Sequence, residues 1–270
     1  MVLIIDNSKP RMHTVIRDFG IDTEMIHLVP LSDLHIGSPQ FDESLFLKYR
    51  EWILDSKDTY CVLNGDIMEM ATKSSVGSVF EGLRPREQRK LVVKYLRPLA
   101  EQGKILAYVD GNHEARAKKE SDEYLGEEVC SELGIPSAYA EDAALLFLTV
   151  GYDRSEGRKT RNVYVIYMLH GWTGARRVGG KMNNLEDLQR IAVADIFVSS
   201  HVHQIGAFPK KIMIPDSSRK RVRWKKQLFV STGAFLEYEG YAVAKGYPPS
   251  AMGSPCITLL GMYRDFNVRV

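Results

Sequence analysis

Short apolar runs that each end in an acid, an amide or an imidazole recur along this chain, and they limit its fold more sharply than anything else in the sequence. The runs at 26–31, 59–63, 105–109, 162–169 and 196–199 lead into Asp33-Leu34-His35, Gly65-Asp66, Gly111-Asn112-His113-Glu114, His170-Gly171 and His201-Val202-His203. Runs of this length bounded by turn residues read as buried strands. Between the first three lie helical patterns. Asp42 can cap a helix with Leu45, Tyr49, Trp52 and Ile53 on its apolar face. Pro85 suits the first turn of another, with Leu91, Tyr95 and Leu99 as its stripe. A strand–helix–strand–helix–strand order predicts parallel pairing with right-handed crossovers. Ligands in such sheets gather at the carboxyl ends of the strands, where Asp33, Asp66 and Asn112 all lie. Between the second strand and the Pro85 helix, the Ser- and Gly-rich stretch 71–82 shows no period and reads as a loop.

The second half has another rhythm. Strands at 145–150, 162–169, 196–199, 212–215, 227–231, 256–263 and 266–270, with one short helix at 185–191, predict a second sheet, mixed or antiparallel, packed on the first. The expectation is an α/β chain with α+β character in its second half. It forms one domain over 1–270, a four-layer sandwich of two central mixed β-sheets flanked by helices.

Composition sets outer limits. With 270 residues, 44% hydrophobic and 26% charged, the chain can bury a core without staples. A net charge of +2 gives no global pull toward nucleic acid or anionic membrane. Cys61, Cys130 and Cys256 are odd in number and widely spaced, which predicts free thiols in a reducing compartment. No signal peptide or membrane-spanning run is legible, so a cytoplasmic location is expected.

Each cluster alone has a bland reading. Asp33-x-His35 reads as an Asx turn, Gly65-Asp66 as a turn aspartate, Gly111-Asn112-His113-Glu114 as a capped turn, and the later histidines as packed core residues. All five at strand ends supply seven oxygen or nitrogen donors from five loops, with one histidine to spare. A donor set without thiolate favours manganese, iron or zinc at a reactive centre over a structural zinc built on cysteine.

With Glu69 three residues after Asp66, the set resembles the calcineurin-like metallophosphoesterases: Asp33-x-His35, Gly65-Asp66-x-x-Glu69, Gly111-Asn112-His113-Glu114, His170-Gly171 and His201-x-His203. Arg116, the Pro85-Arg86-Glu87-Gln88 helix start and Gly179-Gly180-Lys181 resemble the bacteriophage or prophage members. The resemblance implies two divalent ions, manganese first and iron or zinc as alternatives. One would be held by Asp33, His35, Asp66 and His203, the other by Asp66, Asn112, His170 and His201, with Asp66 bridging. It implies His113 as proton donor to the leaving oxygen, with Glu69 orienting it and favouring its charged form. Two departures stand out. Ser200 precedes His201 where the family usually has glycine. Glu69-Met70-Ala71 stands where its protein phosphatases carry Asp-Arg-Gly, which disfavours a protein phosphatase.

For substrate contacts, Arg176, Arg177 and Lys181 lie in a glycine-punctuated loop past His170, and Arg116 follows the third cluster. From 210 to 226 there are eight basic residues, one acid (Asp216) and Trp224. That segment reads first as a charged hairpin tip and second as a grip for a nucleic-acid strand. The functional expectation is a dinuclear phosphodiesterase acting on nucleic acid or a nucleotide. A phosphomonoesterase is its nearest rival. A non-catalytic scaffold and a nucleic-acid-binding module with a structural metal are the alternatives from other classes.

Overall fold

The strand–helix alternation of the first half builds a parallel core. The computed structural model describes residues 12–70, 82–154, 160–172, 174–240, 243, 246 and 248–270; the loop expected at 71–82 lies, except for Gly82, outside them. β2 (Met25–Leu31), β3 (Thr59–Asn64) and β4 (Ile105–Val109) pair in parallel and in chain order. They are joined by α1 (Glu43–Asp55) and α2 (Pro85–Glu101). Asp42 caps α1 as its sequence predicts, accepting from Leu45 N at 2.8 Å. From β4 the chain runs through α3 (Asn112–Ser121) and α4 (Leu125–Glu132) to a short strand β5 (Tyr139–Ala140), again parallel. α1 to α4 cover one face of this sheet, with Phe46, Ile53, Leu96, Leu99 and Val129 packed against Val29, Leu31, Cys61 and Leu63.

The second sheet holds, in spatial order, β1 (Met12–Asp18), β6 (Ala143–Asp153), β7 (Thr160–Leu169), β8 (Ile196–Ser199), β10 (Arg221–Ser231) and β9 (Gly206–Asp216). β6–β7 and β10–β9 are antiparallel, the remaining pairs parallel. Alternate side chains of both sheets meet in one apolar layer, among them Leu28, Val62 and Val109 from the first, and Leu146, Ile166, Val198 and Val230 from the second. α5 (Val178–Asp187), extended by a 3₁₀ turn over Leu188–Arg190, covers the outer face through Leu185 and Leu188. Helix, sheet, sheet, helix: the expected four layers with two mixed sheets are present.

Four local expectations need correcting. β11 (Cys256–Leu260) and β12 (Phe266–Arg269) join the first sheet, not the second: β11 pairs antiparallel with β2, and β12 antiparallel with β11 at the edge. Alternating burial shows that these strands pack on a sheet but does not say which one. β1, which no sequence pattern announced, completes the second sheet. The strands expected at 212–215 and 227–231 are the ends of two 11-residue strands in a long hairpin. The helix expected at 185–191 begins at Val178, so Gly179, Gly180 and Lys181 form its first turn, not a loop. Glycine weakens a helix, but Met182, Leu185 and Leu188 bury against the sheet and override it. No helix among the described residues is long and apolar enough to cross a membrane.

Candidate metal centre

The loops after β2, β3, β4, β7 and β8 converge at one end of the two sheets, and their backbones are bent to do so. Asp33, His35, Asp66, His201 and His203 all adopt positive φ, between 48° and 70°. For non-glycine residues each such conformation costs roughly 1–3 kcal/mol and persists only where the surroundings enforce it. Among the described residues eight non-glycine positions do this, and five are expected metal ligands. Gly65 and Gly111 explain the close approach. A Cβ at Gly65 would collide with the His170 ring, and one at Gly111 with the carboxylate and backbone N of Asp66.

Buried polar side chains lock these loops. Glu114, in the first turn of α3, accepts from the backbone N of Asp66 (3.1 Å), Ile67 (2.9 Å), Met68 (2.9 Å) and Gly111 (3.0 Å). One carboxylate thus ties the second cluster to the third. Asn64, the last residue of β3, donates to Leu169 O (2.9 Å) and to the Ser200 hydroxyl (2.6 Å). It links the first sheet to β7 and β8 of the second. Ser200, where the family pattern expects glycine, is a fitted partner here: its hydroxyl accepts from Asn64 and its N–H donates to His170 O at 2.8 Å.

The donors then fall into place. Asp66 Oδ2 lies 3.1 Å from His170 Nε2 and 3.9 Å from His35 Nε2, between two groups of potential ligands. Asp33, His35 and His203 form one, with Asp33 Oδ1 3.1 Å from His203 Nε2. Asp66, His170 and His201 form the other, joined by Asn112, whose Oδ1 is 3.1 Å from His170 Nε2 and 2.7 Å from His201 Nδ1; His35, Glu69 and His113 make a third set that shares His35 with the first. His170 turns Nδ1 to the carbonyl of Asn64 (2.9 Å) and His35 turns Nδ1 to Glu69 (2.8 Å). Both rings therefore present Nε2 to the centre, the outer-shell arrangement of metal-binding histidines. Two buried atoms facing the centre, His35 Nε2 and Asp33 Oδ1, make no hydrogen bond within the protein. Unsatisfied buried polar atoms are costly, and bound divalent metal would satisfy both. The all-oxygen-and-nitrogen donor set suits manganese, iron or zinc.

Electrostatics support the same arrangement. Burial opposes charge on Asp66, but His170, His113 and His35 hold its carboxyl well below the usual range. Burial likewise opposes charge on His170, and Asp66 overrides it, raising the imidazole to about 10. Burial opposes charge on His35 too, but the hydrogen bond it donates to Glu69 and the charges of Asp66, Glu69 and Asp33 together raise its pKa. His113 goes the other way. Burial, reinforced by the charge on His35, pulls it down to about 4.

All seven expected ligands thus share one site, and His113 stands beside them, its Nε2 3.8 Å from Asp66 Oδ2. Glu69 sits differently from its expected role. Its carboxylate is bonded to His35 and lies 3.8 Å from His113 Nδ1, while its backbone carbonyl contacts that nitrogen directly. The Glu69 carboxylate, with that of Asp66, does favour the charged form of His113, but burial and the charges on His35 and Arg116 outweigh them in the metal-free protein. Arg116 reaches the site, its Nη1 3.3 Å from His113 Nδ1. Lys181 donates to the carbonyl of Val202 between the last two ligands, at 2.9 Å. Arg176 and Arg177 are exposed ahead of α5. Sequence reasoning missed the parts played by Asn64, Glu114 and Ser200. Their signals were faint: a polar residue closing an apolar strand, an acid in a first helical turn, and a serine in a glycine's place.

No protein-family model and no curated protein matches this sequence. Among solved structures the chain is similar to vacuolar protein sorting 29 from Cryptosporidium parvum, with 16% identity over 91% of this chain and 96% of that one, TM-score 0.42. It is similar also to a metallophosphoesterase from Sphaerobacter thermophilus, with 12% identity over 87% and 83%, TM-score 0.40. A third is a protein serine/threonine phosphatase from Saccharomyces cerevisiae, with 11% identity over 96% and 83%, TM-score 0.40.

Proposed function

We propose that this protein is a dinuclear metal-dependent phosphoesterase that hydrolyses phosphodiesters, with nucleic acid or a nucleotide as the favoured substrate class. The observation that carries this reading is the convergence of seven donors from five loops around Asp66, with His35 Nε2 and Asp33 Oδ1 buried and unsatisfied. Asp33, His35, Asp66 and His203 would hold one cation; Asp66, Asn112, His170 and His201 would hold the other. Such a pair, when bound, supplies charge neutralisation for a phosphoryl group. The chain's own residues do the rest. The Glu69 backbone carbonyl fixes Nδ1 of His113, which leaves Nε2 to exchange a proton with the leaving oxygen. Arg116, beside that ring, offers a guanidinium to the phosphate. Lys181 holds the carbonyl between His201 and His203, so its role here is to steady that loop.

Bis-p-nitrophenyl phosphate and p-nitrophenyl phosphate, each tested with Mn²⁺ and with EDTA, separate the diesterase from the monoesterase. The diester is expected to be cleaved faster, and only with metal. His113→Ala is expected to lower kcat by roughly 10²–10⁴-fold with both ions retained. A protein that binds two ions and cleaves neither ester with manganese, iron or zinc is a scaffold, and the enzymatic reading fails.

A further inference from the structure

The outer part of the β9–β10 hairpin has a composition that the metal centre does not use. β10 borders β8 only from Leu228 to Ser231, whereas its pairing with β9 continues to Arg221 opposite Asp216. Beyond Leu228 the two strands form a ribbon with no third strand in the sheet, roughly 20–25 Å long. Alternation puts Val222 and Trp224 on the same face as Leu228 and Val230, which pack between the two sheets. Met213 lies directly opposite Trp224. Lys226 closes the packed part by donating to Asp265 and to Phe266 O, both at 2.7 Å. Past that point the apolar face opens to solvent, with Trp224 68%, Met213 60% and Val222 50% exposed.

Charge surrounds this face and is only half neutralised. Lys210 pairs with Glu186, Lys225 with Asp195, Lys226 with Asp265 and Arg221 with Asp216. Lys211, Arg219, Lys220 and Arg223 have no carboxylate within ion-pairing distance among the described residues. Lys211 also stands directly opposite Lys226, whose own charge is met by Asp265.

We propose that this ribbon is a docking site for single-stranded nucleic acid, with Lys211, Arg219, Lys220 and Arg223 on successive phosphates and Trp224 stacked on a base. Lys211 shares the face of the exposed indole, Arg219 and Lys220 stand at the turn beyond it, and Arg223 lies on the opposite face of the same narrow ribbon; such a set of cations about one exposed indole matches a polyanion with unpaired bases. A duplex hides its base faces and leaves Trp224, Met213 and Val222 without a partner. A second copy of this chain, meeting the first across a two-fold axis, sets the same cations against themselves. The inference does not depend on the phosphoesterase reading. The ribbon runs away from the strand ends that carry the ligands, so binding is measurable without metal.

The test is fluorescence anisotropy of a labelled oligothymidylate of about 16 nucleotides, the upper end of a single-strand site, with the whole protein in EDTA. Binding is expected, with a log–log salt slope of about −3, the value for four phosphates. Trp224→Ala is expected to weaken it by roughly tenfold and keep the slope. Replacing Arg219, Lys220 and Arg223 together with alanine is expected to bring the slope to about −1. All four side chains are exposed, and unchanged circular dichroism and melting check that the variants fold. Three results overturn the proposal: no binding at low salt; equal binding of duplex with no effect of Trp224→Ala; or a metal-independent dimer, or binding to anionic vesicles, that Trp224→Ala abolishes while oligothymidylate does not compete. Hydrolysis is absent under these conditions, so loss of enzymatic activity and loss of docking are separate outcomes.

Discussion

Glu69 serves two histidines, where the sequence suggested one. Its carboxylate bonds Nδ1 of His35 and stays 3.8 Å from Nδ1 of His113. A carboxylate in that outer position fixes ring orientation and raises ligand basicity. Glu69→Gln is therefore expected to weaken binding of one of the two ions by roughly 10–100-fold, read as a split in a Mn²⁺ titration. If the variant binds both ions normally and loses only kcat, Glu69 acts on His113 instead. Gly111 makes a second test. A methyl there meets the carboxylate and N–H of Asp66, so Gly111→Ala is expected to displace the bridging ligand and lower metal content by elemental analysis. The seven converging donors were legible because their chemistry is local: each is an acid, an amide or an imidazole closing an apolar run. Asn64 and Ser200 were not, because their roles exist only across 136 positions of chain. Spacing along the sequence carries no trace of a partner that distant.

The elements tell a similar story. β2, β3 and β4 with their helices could be read directly, since alternation of strand and helix permits little but a parallel sheet. The allocation of β11 and β12 could not, because it is decided by long-range pairing to β2 at one edge. One residue shows how tightly such late strands are held. Asp195, fully buried just ahead of β8, accepts from Val165 N of β7 at 2.8 Å. It also pairs with Lys225 of β10 at 3.2 Å and with Arg264, in the turn between β11 and β12, at 2.8 Å. Removing one partner of a buried charge cluster costs several kcal/mol, less where the others keep water, and the side chain of Arg264 is 41% exposed. Asp195→Ala is expected to lower stability by about 2–3 kcal/mol in urea denaturation. Metal content is expected to be retained, since Asp195 lies at the end of β8 away from the ligands.

At the scale of the whole molecule, the metal centre is a concentration of buried charge that the fold must accommodate whether or not cations are present. In the metal-free protein His170 is raised to about 10 by Asp66 despite burial, from an unfolded value of about 6.5. A group raised in this way contributes stability that is fully present below about 6.5 and is lost as pH climbs through about 10. Asp66, held well below its ordinary range, contributes stability present above about 3.9 and lost as pH falls through its folded value. Between these limits the proton on His170 stands in for a cation. Two consequences follow from one cause. The EDTA-treated protein is expected to lose melting temperature steadily from pH 7 to 10, while the Mn²⁺-loaded protein stays nearly level over that range, because the ions replace that proton. Loading at pH 7.5 is also expected to release protons, His170 among their sources, since a histidine ligand must be neutral to bind. Calorimetric titration in buffers of different ionisation enthalpy reads that release directly. A metal-binding enthalpy independent of the buffer would mean that His170 is already neutral, and that its contact with Asp66 is not the ion pair on which the stability of the empty centre depends.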